Sequence, residues 1–186
     1  MLLTRARRAA AVVVAIAAVV ALGSAPAEAS WSAVGIGDSV MLGSASVLRS
    51  DGVSVNAQVS RQFSAAPALV RAYRRAKALP ANLVVHLGTN GTVSAADCRA
   101  VVDAAGPSRR VFLVTIHARR VWTTIANRSI RACAAHYGPS RVVVLDWAGL
   151  SAPHPDWFSP DGIHPNSTGV RRYAALIASG IERYGV

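Results

Sequence analysis

Residues 159–167 read Ser-Pro-Asp-Gly-Ile-His-Pro-Asn-Ser, which places Asp161 three positions before His164 in a run unsuited to a buried strand or the middle of a helix. A carboxylate and an imidazole held close on a loop can serve as an orienting acid and a general base, or as two polar residues of a turn. A base needs a group to deprotonate. Far upstream, "GDSVMLGS" (37–44) offers Ser39 where an apolar run gives way to a helical pattern. A serine there faces backbone N–H groups that favour developing negative charge, although an N-cap serine or aspartate accounts for the same residues. "HLGTNGT" (86–92) offers Asn90, whose amide can donate to an oxyanion or fill an Asn-Gly turn. Ser60, in "NAQVSRQF" (56–63), can add a backbone N–H, with Arg61 and Gln62 at the rim or in solvent. Combined, Ser39 is a nucleophile, His164 its base and Asp161 the orienting acid. Asn90 and the N–H groups of Ser39 and Ser60 are the donors that an acyl-transfer oxyanion requires.

These residues are far apart in sequence, so a fold must gather them. Five short apolar, β-branched runs recur at 32–37, 53–59, 82–88, 110–116 and 141–147. Several are apolar on successive positions, as expected for parallel strands covered on both faces. Amphipathic segments alternate with them at Val40–Arg49, Ala65–Ala78, Ala95–Ala105, Thr124–Tyr137 and about Ser167–Tyr184. Strand and helix in alternation with right-handed crossovers predict an α/β fold, a three-layer α/β/α sandwich around a five-stranded parallel sheet. Ligands of such sheets sit beyond the carboxyl ends of the strands, where Ser39, Ser60 and Asn90 all fall.

The first 29 residues carry Arg5, Arg7 and Arg8, an apolar run from Ala9 to Leu22, and small residues ending in Ala27-Glu28-Ala29. This pattern predicts a signal peptide at 1–29, cleaved after Ala29, with an uncleaved anchor as the alternative. One domain, 30–186, remains, long enough for its own core. The whole chain has 20 basic and nine acidic residues, and 17 against 8 without the leader, a formal charge of +9. Nineteen of the 20 basic residues are Arg, spread along the chain with little aromatic interleaving, which argues against nucleic acid as a partner. A solvated basic surface fits better, with non-specific attraction to an anionic cell wall or lipid surface. Cys98 and Cys133 both lie in predicted helices of an exported domain, where an oxidising compartment lets a disulfide persist.

Other clusters compete for a role. His154, Asp156, Asp161 and His164 fall within eleven residues and could hold zinc, but a Pro-rich single loop is a poor cage, so no metal is expected. Asp156 is a reserve for the triad acid, while Trp157 and Phe158 could wall an acyl pocket or pack the loop. His86 and His117 read as structural histidines at strand ends, and Asp146 as a cap for the loop that follows the fifth strand. A non-catalytic glycan-binding module on the same scaffold is the alternative class of function.

The ordered blocks "GDS" (37–39), "GTN" (88–90) and "DGIHP" (161–165) resemble the SGNH, or GDSL, hydrolase family across nearly the whole domain. The strings "GDSVMLG" and "VSRQ" are similar in particular to the extracellular SGNH domains of peptidoglycan and polysaccharide O-acetyltransferases. The resemblance implies a flavodoxin-like fold, with Ser39, His164 and Asp161 as the triad and Asn90 in the oxyanion hole. It implies no cofactor. It also implies a secreted or wall-associated esterase or O-acyltransferase acting on acetyl esters of wall or surface carbohydrate, expected as a monomer; a lipase or simple-ester esterase is the alternative. The sequence departs from the family where Ser60 replaces a glycine, which keeps the N–H but places the local backbone in question.

Overall fold

The computed structural model describes residues 31–186; the predicted leader, 1–29, lies outside the described residues. Five parallel strands form one sheet: β1 (Ala33–Gly37), β2 (Val53–Ala57), β3 (Asn82–His86), β4 (Arg110–Val114) and β5 (Val142–Leu145). Their spatial order is β2-β1-β3-β4-β5. From β1 the chain turns first to β2 on one side, then crosses to β3 on the other, leaving a crevice above β1 and β3. The register aligns Gly37 with both Ala57 and His86, so β1, β2 and β3 end level with one another.

Successive residues of a strand bury on opposite faces, and the continuous apolar runs therefore feed two cores. Leu83, Val85 and Leu113 pack with Phe63, Val70, Val101 and Ile130 on one side. Val84, Phe112 and Val114 pack with Val40, Met41, Leu48, Tyr173 and Ile177 on the other. Helices α3 (Ala66–Arg75), α4 (Ala95–Ala105) and α5 (Thr123–Tyr137) cover the first face. The second is covered by α1 (Ser39–Gly43), α2 (Ala45–Ser50) and α7 (Ser167–Tyr184). This is the expected three-layer sandwich, and α4 and α7 begin and end where the sequence pattern places them. Cys98 of α4 and Cys133 of α5 form a disulfide whose two residues are buried in the seam between these helices.

Two local features differ from the sequence reading. The helix expected over Val40–Arg49 breaks at Ser44, whose hydroxyl donates to Val40 O at 3.1 Å and so competes with continuation of the helix. A short helix not foreseen, α6 (Trp147–Ser151), follows β5 directly. Asp146 caps it, accepting from Gly149 N–H at 3.1 Å, and also receives Thr115 Oγ1 at 2.8 Å and Arg131 Nη2 at 2.7 Å.

Candidate active site

The nucleophile candidate rests on a tight strand-to-helix turn. Asp38 is buried and its Oδ1 accepts from Val40 N–H at 3.0 Å, starting α1 at Ser39. The Asp38 N–H donates to His86 O at 3.3 Å, tying the end of β1 to that of β3. Gly37 allows the turn because a Cβ there would stand 2.3 Å from Met41 Cβ, well inside contact distance. Arg61 does not line an open rim. Its guanidinium donates to Gly37 O at 3.3 Å and Asn56 O at 2.6 Å, stapling the ends of β1 and β2.

Asp161 and His164 reach the same edge from the loop ahead of α7. Asp161 Oδ1 accepts from the N–H groups of Ile163 (2.8 Å) and His164 (3.0 Å), while Oδ2 lies 2.6 Å from His164 Nδ1. The hydrogen bond from His164, with the two backbone donors, lowers the Asp161 pKa to about 2. Held by this carboxylate through Nδ1, the imidazole presents Nε2 to Ser39 Oγ at 2.9 Å. Asp156, the reserve acid, has a side chain 74% exposed and 3.9 Å from His154 Nδ1, and the carboxylate paired with His164 is that of Asp161. His154 stacks flat on Trp157 with ring centres 3.9 Å apart. Among the described residues, no three His, Cys, Asp or Glu side chains converge as a metal site.

A residue the sequence reading passed over fixes this loop. Asn166 caps α7, accepting from Thr168 N–H (3.0 Å) and Gly169 N–H (3.1 Å). Its amide also donates to Asp156 O at 2.7 Å, and its backbone N–H to Trp157 O at 2.9 Å. Gly169 lets α7 approach so closely, since a Cβ there would meet Trp157 O at 2.1 Å. The legible signal was a Pro-Asn-Ser step before an amphipathic helix, an N-cap pattern. Of the two roles open to Trp157 and Phe158, packing is the one observed: both are buried with Trp147 and Tyr173 in the second core.

The candidate donors sit at the ends of the neighbouring strands. Ser39 is the first residue of α1, so its N–H has no intrahelical partner. Ser60 lies in a turn closed by Arg61 N–H to Gln58 O at 3.3 Å, and its φ is +60°. That is the left-handed conformation glycine favours; serine adopts it here at a cost of about 1–2 kcal/mol. Its N–H makes no hydrogen bond among the described residues. Asn90 is half-buried beyond β3, and its Nδ2 is buried without a hydrogen-bond partner among the described residues. Trp122, for which the sequence suggested no role, donates from Nε1 to Gly88 O at 3.0 Å and holds this loop. Asn127 pairs with both Ile116 N–H (2.7 Å) and Ile116 O (2.9 Å), fixing the chain beyond β4.

His86 and His117 are structural in setting. His86 is buried, its Nδ1 is 2.8 Å from Tyr173 Oη, and burial lowers its pKa. His117 stacks on Phe158 and lies 3.0 Å from Ser151 Oγ; partial burial and nearby Arg119 lower its pKa.

Comparison with known proteins agrees with this geometry. No established family profile matches the chain. The C-terminal catalytic domain of the Streptococcus pneumoniae peptidoglycan O-acetyltransferase OatA, determined with a methylsulfonyl adduct, superposes with a TM-score of 0.71. It is 24% identical, over 80% of this chain and 91% of that one. A GDSL-like lipase from Bacteroides thetaiotaomicron superposes with a TM-score of 0.64 at 18% identity, over 81% and 87% of the two chains. The chain has the fold of the SGNH, or GDSL, hydrolases. Among its curated relatives are two O-acetyltransferases. The O-acetyltransferase OatA of Staphylococcus aureus is 30% identical over 152 residues, 80% of this chain and 25% of the relative. The peptidoglycan O-acetyltransferase OatA of Listeria monocytogenes is 28% identical over 152 residues, 81% of this chain and 24% of the relative. The chain thus spans about a quarter of the length of these relatives.

Proposed function

We propose that this chain is an exported serine esterase or O-acyltransferase that moves a short acyl group, acetyl first, on cell-wall or surface carbohydrate. The observation that carries the reading is the unbroken relay Ser39 Oγ, His164, Asp161, with contacts of 2.9 and 2.6 Å. A binding-only cleft has no chemical need for it. That one relative and one structural neighbour bear the name peptidoglycan O-acetyltransferase supports carbohydrate as the substrate class.

In the first half-reaction, Ser39 Oγ bonds to the ester carbonyl carbon as its proton passes to His164 Nε2. The carbonyl oxygen becomes an oxyanion, held by Asn90 Nδ2 and the N–H groups of Ser39 and Ser60. Collapse breaks the bond to the donor alkoxide, which leaves with the proton from Nε2. In the second, a hydroxyl attacks the acyl-Ser39 ester as its proton passes to Nε2; collapse breaks the bond to Ser39 Oγ, which takes that proton back from Nε2, and the acyl group is transferred. Asp161 keeps the imidazole oriented and stabilises its charged form throughout. Water and a sugar hydroxyl can both complete the cycle on this relay, which needs no cofactor.

The test offers the protein an acetyl ester with and without a peptidoglycan oligosaccharide and follows both acetate and acetylated sugar. Acetyl-sugar formation dependent on Ser39, absent in Ser39→Ala, is the expected result. Acetate alone at every acceptor concentration would reduce the reading to an esterase. No turnover of any acetyl ester would overturn it.

A further inference from the structure

Because the strands are parallel, the molecule has two unlike ends: the relay lies beyond the carboxyl ends, and charge gathers at the amino ends. Arg49, Lys77, Arg109, Arg110 and Arg141 lie at or shortly before strand starts, and Arg74, Arg75 and Arg183 lie in the last turns of α3 and α7. The acidic residues of this edge are Asp51, Asp103 and Glu182. Among the described residues, only Arg131, elsewhere on α5, makes an arginine–carboxylate ion pair. Several guanidinium groups here are held by backbone carbonyls: Arg74 by Ala104 O (3.0 Å), Arg109 by Ala105 O (3.2 Å) and Leu79 O (3.1 Å), Arg110 by Pro139 O (2.6 Å), and Arg141 by Val102 O (3.1 Å). Carbonyl partners fix these cations without neutralising them. Arg71, Arg74 and Arg75 line an open groove of about 270 Å³, and Arg71, Arg75 and Lys77 make no side-chain hydrogen bond among the described residues.

We propose that this amino-end face docks on an anionic lipid surface, leaving the relay on the side turned away from it. Planar guanidinium groups pair with phosphate oxygens in a forked geometry, and anionic headgroups present such oxygens at high density. The choice of a membrane over a wall polymer rests on the aromatic ring at this edge. Ser32 N–H donates to Gly52 O at 2.9 Å and Ser32 O accepts from Asn82 Nδ2 at 3.0 Å, so Ser32 and its neighbour Trp31 lie at the amino ends of the strands. Trp31, 40% exposed, stands there as an amphipathic ring of the kind that favours the headgroup region. The face is distinct from the relay, so this inference stands or falls independently of the proposed reaction.

The test measures co-sedimentation of the protein with vesicles of pure phosphatidylcholine and of phosphatidylcholine with phosphatidylglycerol. Three proteins are compared: wild type, the face variant Arg71→Gln/Arg75→Gln/Lys77→Gln, and an equal-charge control, Arg119→Gln/Arg128→Gln/Arg171→Gln. Wild type should require phosphatidylglycerol and lose binding as salt rises. Removing three face charges should weaken binding roughly 100-fold at low salt, and the control much less. A circular-dichroism melt checks that each variant folds; Arg75→Gln/Lys77→Gln, expected to lose roughly 10-fold or more, replaces the triple variant if it does not. Equal loss in face and control variants would overturn the docking face. Binding of a soluble glycerol-phosphate polymer with none to vesicles would overturn the membrane as its occupant.

Discussion

Removing the Asn90 side chain should separate stability from activity in a way that few substitutions do. The Nδ2 of Asn90 is buried and without a hydrogen-bond partner among the described residues. A buried unpaired donor costs a folded protein about 1–3 kcal/mol, so Asn90→Ala relieves that cost while losing a few van der Waals contacts of a half-buried side chain. The melting temperature should therefore hold or rise, by up to ~3 °C for a domain of this size. The same amide is proposed to meet the oxyanion, and loss of one such donor costs about 2.7–4 kcal/mol of transition-state stabilisation. Hydrolysis of a chromogenic acetyl ester should accordingly fall ~100- to 1,000-fold in kcat, with KM little changed. Asn127→Ala is the contrasting variant. Its amide is fully used on Ile116 at 2.7 and 2.9 Å, so its loss should lower the melting temperature by several degrees, about 2 kcal/mol. The reasoning fails if Asn90→Ala keeps activity within about threefold of wild type, or if its activity falls only in step with its stability.

Other predictions probe the frame around the relay. Ser60→Gly should keep the donor N–H and so the activity, while relief of the +60° φ, partly offset by the freer unfolded chain, stabilises by roughly 0.5–1 kcal/mol. A loss of activity in that variant would assign the work to the serine hydroxyl instead. Reducing the Cys98–Cys133 bridge, which spans 35 residues, should cost about 3–4 kcal/mol of stability by the chain-entropy relation, seen as a lower denaturant midpoint with m unchanged or raised as the unfolded chain expands. Burial lowers the His86 pKa below its unfolded value, so the unfolded chain takes up that proton first as pH falls below about 6.5. Stability should then decline between about pH 7 and 5, and His86→Leu should flatten that slope even though it leaves the Tyr173 hydroxyl unpaired.

Much of this organisation is legible in the residues because the physics that sets it is local or periodic. Runs such as Val-Phe-Leu-Val in β4 announce burial on both faces, and the Ser94 capping box and the Asn166 cap mark the starts of α4 and α7. Ser39, Asp161 and His164 are legible as candidates since acyl transfer would need a nucleophile, a base and an acid together, and the structure joins the three through His164. What escaped were long-range contacts by residues with ordinary local explanations. Arg61 looks like a rim or surface arginine until its guanidinium is found on Gly37 O; Trp122 gives no sign that it reaches Gly88 O. The break at Ser44 and the helix at Trp147–Ser151 are decided by single side chains, Ser44 and Asp146, acting against or ahead of the hydrophobic period. Ser60 is the instructive case. Its identity suggested an altered backbone, yet the turn keeps the positive φ and imposes it on a serine.

The central claim is that Ser39, activated by His164, becomes covalently acylated. Incubation with a fluorophosphonate, followed by intact mass and peptide mapping, tests it most directly. The account predicts a single adduct, on the peptide containing Ser39, with labelling slowed by orders of magnitude in His164→Ala and absent in Ser39→Ala. An adduct elsewhere, or full esterase activity in Ser39→Ala, would contradict it.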